Sequence, residues 1–246
     1  MRCKVDKISW PVDGMLLAVL AFFLGFAPAG AQSLQDDAYS PLTLDVEDGL
    51  PYTNVDGLFQ DDKGFMWISM FGGGLARYDG SSFVWFHTKS SDAALNSNMV
   101  TESCQDRFDR QWVSTAEGID VIDMKTLKKV EMPESVRSTY EGKYCNFIAA
   151  DAHGCIWYTT LNYIYRVSFG SDGSVSQVDS LRCSETDMNL RLDFKDVDED
   201  GSVWTSLGGG LYKIFYHPAK ESLEMTRMFP GVFPKESVSR LPIRYM

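Results

Sequence analysis

Tryptophan recurs in this sequence at a nearly constant interval, and that interval restricts the fold more than any other feature. Four tryptophans are separated by 45, 45 and 47 residues: Trp67, Trp112, Trp157 and Trp204. The residue six positions before each of them is aspartate: Asp61, Asp106, Asp151 and Asp198. Three positions before them stand Gly64, Asp109, Gly154 and Gly201, residue types that tolerate the backbone of a tight hairpin. The spacing predicts a repeated unit of about 45 residues with a turn ahead of each tryptophan.

The first unit shows what each repeat contains. Its short strand-like runs, separated by turn residues, are NVDGLFQ (54–60), FMWISM (65–70), LARYD (75–79) and FVWFH (83–87). Four strands within about 45 residues make one propeller blade, whereas β-helix repeats are shorter and helical repeats need a 3.6-residue period. We predict an all-β fold, a β-propeller of about four four-stranded blades with a fifth begun, in an incomplete ring. Almost no α-helix is expected beyond residue 31.

The repeat register divides the chain into segments. Residues 1–31 form a signal peptide, 32–51 an N-terminal segment with a ring-closing strand, and 231–246 the start of a truncated fifth blade. Blades 1 to 4 are assigned to residues 52–92, 93–140, 141–186 and 187–230. A fifth tryptophan would fall at about position 250, so we expect a truncated product or fragment.

The first residues have the pattern of an export signal. Basic residues precede an apolar run at 15–26, and the small-residue site Ala29-Gly30-Ala31 follows. The run is shorter than the roughly 20 apolar residues of a spanning helix, although an uncleaved anchor is the alternative interpretation. No later segment is apolar and long enough to span a membrane. We therefore predict an exported, periplasmic protein.

Composition excludes several classes of partner and cofactor. The formal net charge of −11 argues against nucleic acid, because phosphate backbones are bound by surfaces rich in lysine and arginine. Of five cysteines, Cys3 lies in the signal and the others show no Cys-x-x-Cys spacing, so neither zinc nor a redox pair is expected. No cofactor is predicted.

Catalytic and metal motifs are weak. Asp196, Asp198, Asp200 and Gly201 begin like a calcium loop, but Leu207 stands where a bidentate glutamate is needed. The three histidines lie in different blades, and no Gly-x-Ser-x-Gly motif occurs. We predict no catalytic residue, no metal site and no enzymatic activity.

A ligand site is expected on one face of the propeller. The loops from second to third strands and the connections between blades are freest to vary, and aromatic, amide and carboxylate side chains there suit a sugar. The candidates are Phe71, His87, Glu117, Asn162 and Tyr163. The repeated tryptophans and aspartates are interpreted as structural, with each indole packed between blades.

Several motifs of the first unit resemble a known repeat. DGLP (48–51), the Asn-x-Val start (54–56), the QD-x-x-G turn, W-I-S and G-L-x-R-Y-D (74–79) are similar to the two-component-regulator propeller repeat. The resemblance is to the periplasmic sensor propellers of Bacteroidetes hybrid two-component histidine kinases, and extends from residue 42 to about 228. Asp109, Tyr163 and the Leu-Tyr-Lys of the fourth unit depart from the pattern.

This resemblance implies a function. Such propellers detect extracellular signals, commonly oligosaccharides, and intact relatives form homodimers and carry a histidine kinase that this sequence lacks. The alternatives are a polysaccharide-active propeller enzyme such as a lyase, or an interaction platform for other periplasmic proteins. The resemblance therefore implies a sensor module whose partner is an oligosaccharide or another small extracellular ligand.

Overall fold

A computed structural model describes residues 43–182, 195–207 and 210–229. These residues form four antiparallel sheets of four strands, each in the order of the sequence. Blade 1 contains β1 (Val55–Gln60), β2 (Met66–Met70), β3 (Gly74–Tyr78) and β4 (Phe83–Phe86). Blade 2 contains β5 (Val100–Gln105), β6 (Arg110–Thr115), β7 (Gly118–Asp123) and β8 (Lys128–Lys129).

The other two sheets repeat this meander. Blade 3 contains β9 (Ile148–Ala150), β10 (Ile156–Thr159), β11 (Tyr163–Phe169) and β12 (Val175–Arg182). Blade 4 contains β13 (Lys195–Val197), β14 (Val203–Leu207), β15 (Gly210–His217) and β16 (Ser222–Met228). The first strands contact one another in sequence, β1 with β5, β5 with β9 and β9 with β13. They therefore lie on the inner side of the arc, and the fourth strands lie outside.

Some predicted segments are not in strands or lie outside the described residues. The signal peptide and the beginning of a fifth blade fall outside. Of the segment assigned to a ring-closing strand, residues 43–45 have no regular structure and 46–49 form a turn. Leu50 nevertheless packs against Ile68, Met70 and Ala76 on the face of blade 1 turned away from blade 2.

One helix corrects the expectation of almost no helix beyond residue 31. Helix α1 (Glu134–Tyr140) lies between β8 and β9. Pro133 precedes it with φ −60°, and since proline has no backbone N–H it cannot continue a strand ladder but can begin a helix. Val136 and Tyr140, four residues apart, are buried in the cluster between blades 2 and 3. Tertiary burial of this one short face stabilises a helix that the strand-rich surroundings do not predict.

The repeated tryptophans hold neighbouring blades together. Trp67 packs with Val113 and Ile122 of blade 2. Two further clusters repeat the arrangement, with Trp112 beside Ile156 and Val167 of blade 3, and Trp157 beside Val203 and Ile214 of blade 4. These three indoles are fully buried. Each buried aromatic side chain removes roughly 150–250 Å² of its surface from water. The short strands of a single blade cannot bury this much surface without a neighbouring blade.

Each repeated aspartate binds its own tryptophan. One carboxylate oxygen accepts the indole N–H six residues later, at 2.9 Å for Asp61, 2.8 Å for Asp106, 2.9 Å for Asp151 and 2.8 Å for Asp198. The other oxygen accepts backbone N–H groups of the hairpin, such as those of Phe108 and Arg110 on Asp106. These aspartates were interpreted as structural, and each one fixes both its hairpin turn and its indole. We call each such pair the aspartate–indole bracket.

The triglycine loop of blade 1 (residues 72–74) allows a test of backbone strain. Gly74 has φ +83°, and a Cβ built on it would lie 2.3 Å from the carbonyl oxygen of Phe86. Gly80 has φ +96° with nothing within 4 Å of a built Cβ, which makes it a matched control. Gly80→Ala is expected to lower the free energy of unfolding by about 1–2 kcal/mol, the cost of the left-handed backbone. Gly74→Ala should cost at least about 2 kcal/mol more, because β4 must move away. Urea unfolding measures both, and equal losses would contradict the close approach.

Candidate functional site

The loops between the second and third strands of the blades lie at one rim of the structure. We call it the loop rim and define it by Tyr52, residues 71–74, 98–99, 116–117 and 161–163. The backbone N–H groups of Gly72 and Gly74 donate to the carbonyl of Asn98, each at 2.9 Å, and Phe71 forms a β-bridge with Met99. The next loop joins the same segment, since Ala116 N–H donates to Met99 at 3.0 Å. Loops and connections are thus bonded into one backbone scaffold rather than projecting separately.

Aromatic rings surround the triglycine loop of blade 1. Tyr52 is 45%, Phe71 36% and Trp85 46% exposed. The Trp85 indole donates to the carbonyl of Gly73 at 2.6 Å, and its ring lies 4.3 Å from that of His87. A Cβ built on Gly73 would lie 2.3 Å from the Cβ of Tyr52, so only glycine lets that ring lie over the loop. The rings of Tyr52 and Trp85 are therefore held in place by the loop, and all three rings keep much of their surface open to solvent.

Blade 3 contributes a second group of side chains to the loop rim. Leu161 is 75% exposed and Asn162 is exposed beside it. Tyr163 is partly buried, and its ring stacks on Tyr165 with centroids 5.7 Å apart. Burial raises the pKa of Tyr165 above its ordinary value. This stack supports Tyr163 from below and keeps its orientation.

The five predicted ligand residues are distributed over three blades. Phe71 and His87 come from blade 1, Glu117 is exposed in blade 2, and Asn162 and Tyr163 follow in blade 3. No hydrogen bond, ion pair or ring contact joins any two of the five within the described ranges. Four of them lie on the loop rim, and His87 lies beside the triglycine loop at the end of β4. A ligand that contacts both Phe71 and Tyr163 would reach from blade 1 to blade 3.

Sequence reasoning missed three exposed side chains that belong to this region, Tyr52, Trp85 and Leu161. Trp85 falls outside the 45-residue tryptophan period, and that irregularity was a usable signal. Tyr52 precedes the first strand, and only its packing on the triglycine loop reveals its place. No pattern in the sequence distinguishes Leu161 from a core leucine.

The carboxylates of the calcium-like segment are engaged with protein groups. Asp198 accepts its bracket bond from Trp204 and lies 2.8 Å from the Lys213 ammonium, which is also 3.5 Å from Asp200. Burial alone raises the pKa of Asp198, but hydrogen bonds from Lys213, Trp204 and Ser202 outweigh it and lower the pKa to about 2. Within the described ranges, no three acidic, histidine or cysteine side chains are grouped so as to hold a metal ion.

The opposite rim, formed by the hairpin turns, holds the blades together. An open depression of about 590 Å³ lies between the turns of blades 1 to 3. The backbone N–H of Asp62 donates to Gln105 at 3.0 Å, Arg107 donates to the carbonyl of Phe169 at 2.9 Å, and His153 lies 3.2 Å from the carbonyl of Asp200. Each bond links one blade to the next. His153 is therefore a structural residue here.

Cysteine chemistry is also suppressed in the described residues. Cys104, Cys145 and Cys155 are free thiols buried in the core. Burial raises the pKa of Cys145 to about 12 and raises that of the other two as well. Thiolates are the reactive form, so these side chains act as small apolar residues.

Comparison with known proteins identifies solved structures that have a similar fold. No family model and no curated protein matches the sequence. The chain is similar to the extracellular domain of a hybrid two-component system from B. thetaiotaomicron, with 19% identity over 77% of this chain and 26% of that one, at a TM-score of 0.55. The extracellular domain of a one-component system from the same organism gives 21% identity, 73% and 25% coverage, and a TM-score of 0.52. The chain thus spans about a quarter of the length of these structures.

A third solved structure is an enzyme. Catalytically inactive virginiamycin B lyase from Staphylococcus aureus, solved with quinupristin, gives 16% identity over 77% of this chain and 59% of that one, at a TM-score of 0.51. The helix in the described part of the chain, α1, is too short to cross a membrane. Identities this low establish the fold alone. The chain therefore has the four-stranded blades of a β-propeller, as predicted, and shares this fold with extracellular domains of a one-component system and a hybrid two-component system from B. thetaiotaomicron.

Proposed function

We propose that this chain is an extracytoplasmic ligand-sensing module of a hybrid two-component system and that its ligand is an oligosaccharide. The observation that carries the proposal is the loop rim, where exposed rings are fixed on a hydrogen-bonded backbone. Rings held in this way lose little conformational freedom when a ligand stacks on them. A sugar presents apolar C–H faces to such rings and hydroxyl groups to Glu117 and Asn162.

The distribution of the rim residues favours a chain of sugars over a single ring. The aromatic group around the triglycine loop and the Leu161–Tyr163 group belong to blades 1 and 3, with Glu117 of blade 2 between them in the sequence of blades. A ligand that spans both groups must extend across three blades. The acidic chain, with a formal net charge of −11, fits neutral oligosaccharides better than acidic ones.

Two substitutions test this site directly. The double variant Phe71→Ala, Tyr163→Ala is expected to weaken binding of an oligosaccharide selected on a glycan array by about five-fold or more, because each stacked ring contributes roughly 0.5–1.5 kcal/mol and the two together at least about 1 kcal/mol. Isothermal titration calorimetry measures the change. Phe215→Ala, a partly buried aromatic residue on the hairpin rim, is the matched control and should bind like the wild type.

The outcomes separate the sensor from its alternatives. Unchanged affinity in the double variant, with binding intact, would refute the loop rim as the site. Shortened products detected by chromatography would favour a polysaccharide-active enzyme instead. Absence of any glycan signal, together with capture of a defined periplasmic protein, would favour the interaction platform.

A further inference from the structure

The connection from blade 1 to blade 2, residues 87–98, carries the acceptor that the triglycine loop binds. The carbonyl of Asn98 accepts the backbone N–H groups of Gly72 and Gly74, each at 2.9 Å. The side-chain oxygen of Asn98 accepts the N–H of Thr88 at 2.9 Å, which ties the two ends of the connection together. The position of the triglycine loop, and of the rings around it, therefore depends on where this connection lies.

A buried ion pair of blade 2 holds the connection in place. The Asp120 carboxylate lies 2.6 Å from the Lys129 ammonium, and its other oxygen accepts the backbone N–H of Asn96 at 2.8 Å. The same ammonium donates to the side-chain oxygen of Asn96 at 2.9 Å and to the carbonyl of Ala94 at 3.4 Å. The backbone N–H of Lys129 donates to the carbonyl of Asp92 at 3.3 Å. These contacts fix the connection just before the residue that binds the triglycine loop.

The repeat does not require a carboxylate where Asp120 stands. The equivalent residues of the other blades, each opposite the residue that follows the repeated tryptophan, are Ala76, Tyr165 and Tyr212. The Asp120 side chain is completely buried, and burial raises its pKa although the contact with Lys129 opposes the shift. Burying two charges commonly costs as much as their attraction returns. The stability of the blade therefore does not explain this pair.

We propose that Asp120 and Lys129 are positioning residues for the ligand site on the loop rim. The pair fixes the connection, the connection places Asn98, and Asn98 fixes the loop against which the exposed rings lie. Both residues act on the ligand without touching it, because affinity falls with the fraction of molecules in the binding conformation. The effect on affinity rests on the proposed function, whereas the order of the loop is measured without a ligand.

The experiment removes the ion pair and keeps the blade. The double variant Asp120→Ala, Lys129→Met replaces the pair with apolar side chains, and alanine is the residue of blade 1 at the equivalent position. Its urea midpoint should equal or exceed that of the wild type, because apolar replacement of a buried pair is often neutral or stabilising. Amide hydrogen exchange of Gly72 and Gly74, followed by NMR, should become at least about ten-fold faster. The oligosaccharide selected on a glycan array should bind at least about five-fold more weakly in calorimetry.

Three single variants complete the test. Lys125→Met removes another ion pair of blade 2, which joins Lys125 to Asp109 at 2.8 Å, and should leave exchange and affinity unchanged. Lys129→Arg keeps a cation beside the buried carboxylate and should restore most of the protection that the double variant loses. Asn96→Ala is the substitution to use if the double variant does not fold. Asn96 is exposed, and its change removes one bond to Lys129 while the ion pair remains, so exchange should accelerate at an unchanged urea midpoint.

The outcomes separate positioning from stability and from sensing. Exchange or affinity like that of the wild type in the folded double variant overturns the proposal. Faster exchange that appears only with a lower urea midpoint overturns it as well, since the pair would then serve stability alone. A wild-type chain that binds no oligosaccharide, while exchange still depends on the pair, would refute the sensing proposal and support the positioning of the loop by Asp120 and Lys129.

Discussion

Replacing Asp106 with alanine is expected to lower the free energy of unfolding by about 3–5 kcal/mol, the cost of removing one partner of a buried ion pair. The Asp106 side chain is completely buried and lies 2.6 Å from the Arg110 guanidinium, which is itself mostly buried. It also accepts the indole N–H of Trp112 and the backbone N–H groups of Phe108 and Arg110. Alanine leaves the indole and the two backbone N–H groups without this acceptor, and among the described residues the buried guanidinium keeps only its bond to the carbonyl of Gly173. Urea unfolding followed by tryptophan fluorescence measures the loss.

The equivalent aspartate of blade 4 provides a control in the same motif. Asp198 makes the same bracket, but its side chain is 26% exposed and its cation, Lys213, is 23% exposed. Water can replace the lost carboxylate there, so Asp198→Ala is expected to cost only about 1–2 kcal/mol. If the two variants lose the same stability, burial is not what gives the bracket its strength.

Replacing Trp157 with alanine is the second large change, expected to cost about 3–5 kcal/mol. The indole fills the space between blades 3 and 4 among Phe147, Ile164, Val203 and Ile214. Its removal leaves a cavity between two sheets and uncouples blade 4 from blade 3. Calorimetric unfolding should then show a lower melting temperature and a broader transition, because repeat arrays unfold cooperatively only when neighbouring units stay coupled.

Two further variants separate packing from hydrogen bonding. Trp157→Phe keeps a ring but removes the donor to Asp151, and should cost about 1–3 kcal/mol, the value of an unsatisfied buried carboxylate acceptor. Trp204→Ala, in a blade where the indole is partly exposed, should cost about 1–2 kcal/mol because less apolar surface is buried. Equal losses for Trp157→Ala and Trp204→Ala would show that blade-to-blade packing is not the dominant contribution.

The two rims of the blades have different roles: one stabilises the fold and the other presents side chains to solvent. At the hairpin rim, brackets and bonds between turns fix each sheet and its neighbour. At the loop rim, backbone bonds between loops and connections leave the side chains of Phe71, Glu117 and Asn162 unused by the core. A scaffold stabilised at one rim can therefore present variable side chains at the other without loss of stability.

The sequence predicted the repeated architecture well for a physical reason. A unit that buries its apolar face only against a copy of itself must repeat the same packing residue at the same position, so the spacing of Trp67, Trp112 and Trp157 reveals the blades. The sequence did not predict α1, because a seven-residue helix has little intrinsic stability and forms through burial of Val136 and Tyr140 by two neighbouring blades.

The candidate site was predicted less completely. Residues on the loops were identified from their position in the repeat, and Phe71, Glu117, Asn162 and Tyr163 do lie on the loop rim. Tyr52 and Trp85 were missed, because their exposure depends on how each ring packs over the triglycine loop. Periodicity reports what is buried in every blade, and it carries no information on what differs between blades.

The sequence by itself determined the four blades, their hairpins and the packing position of the indoles, because each follows from local turn chemistry and a repeated apolar residue. Only the tertiary structure decided which partners the aspartates take, where α1 forms and which rings stay open on the loop rim. Those features arise where one blade or loop meets another, and such contacts join residues far apart in the chain.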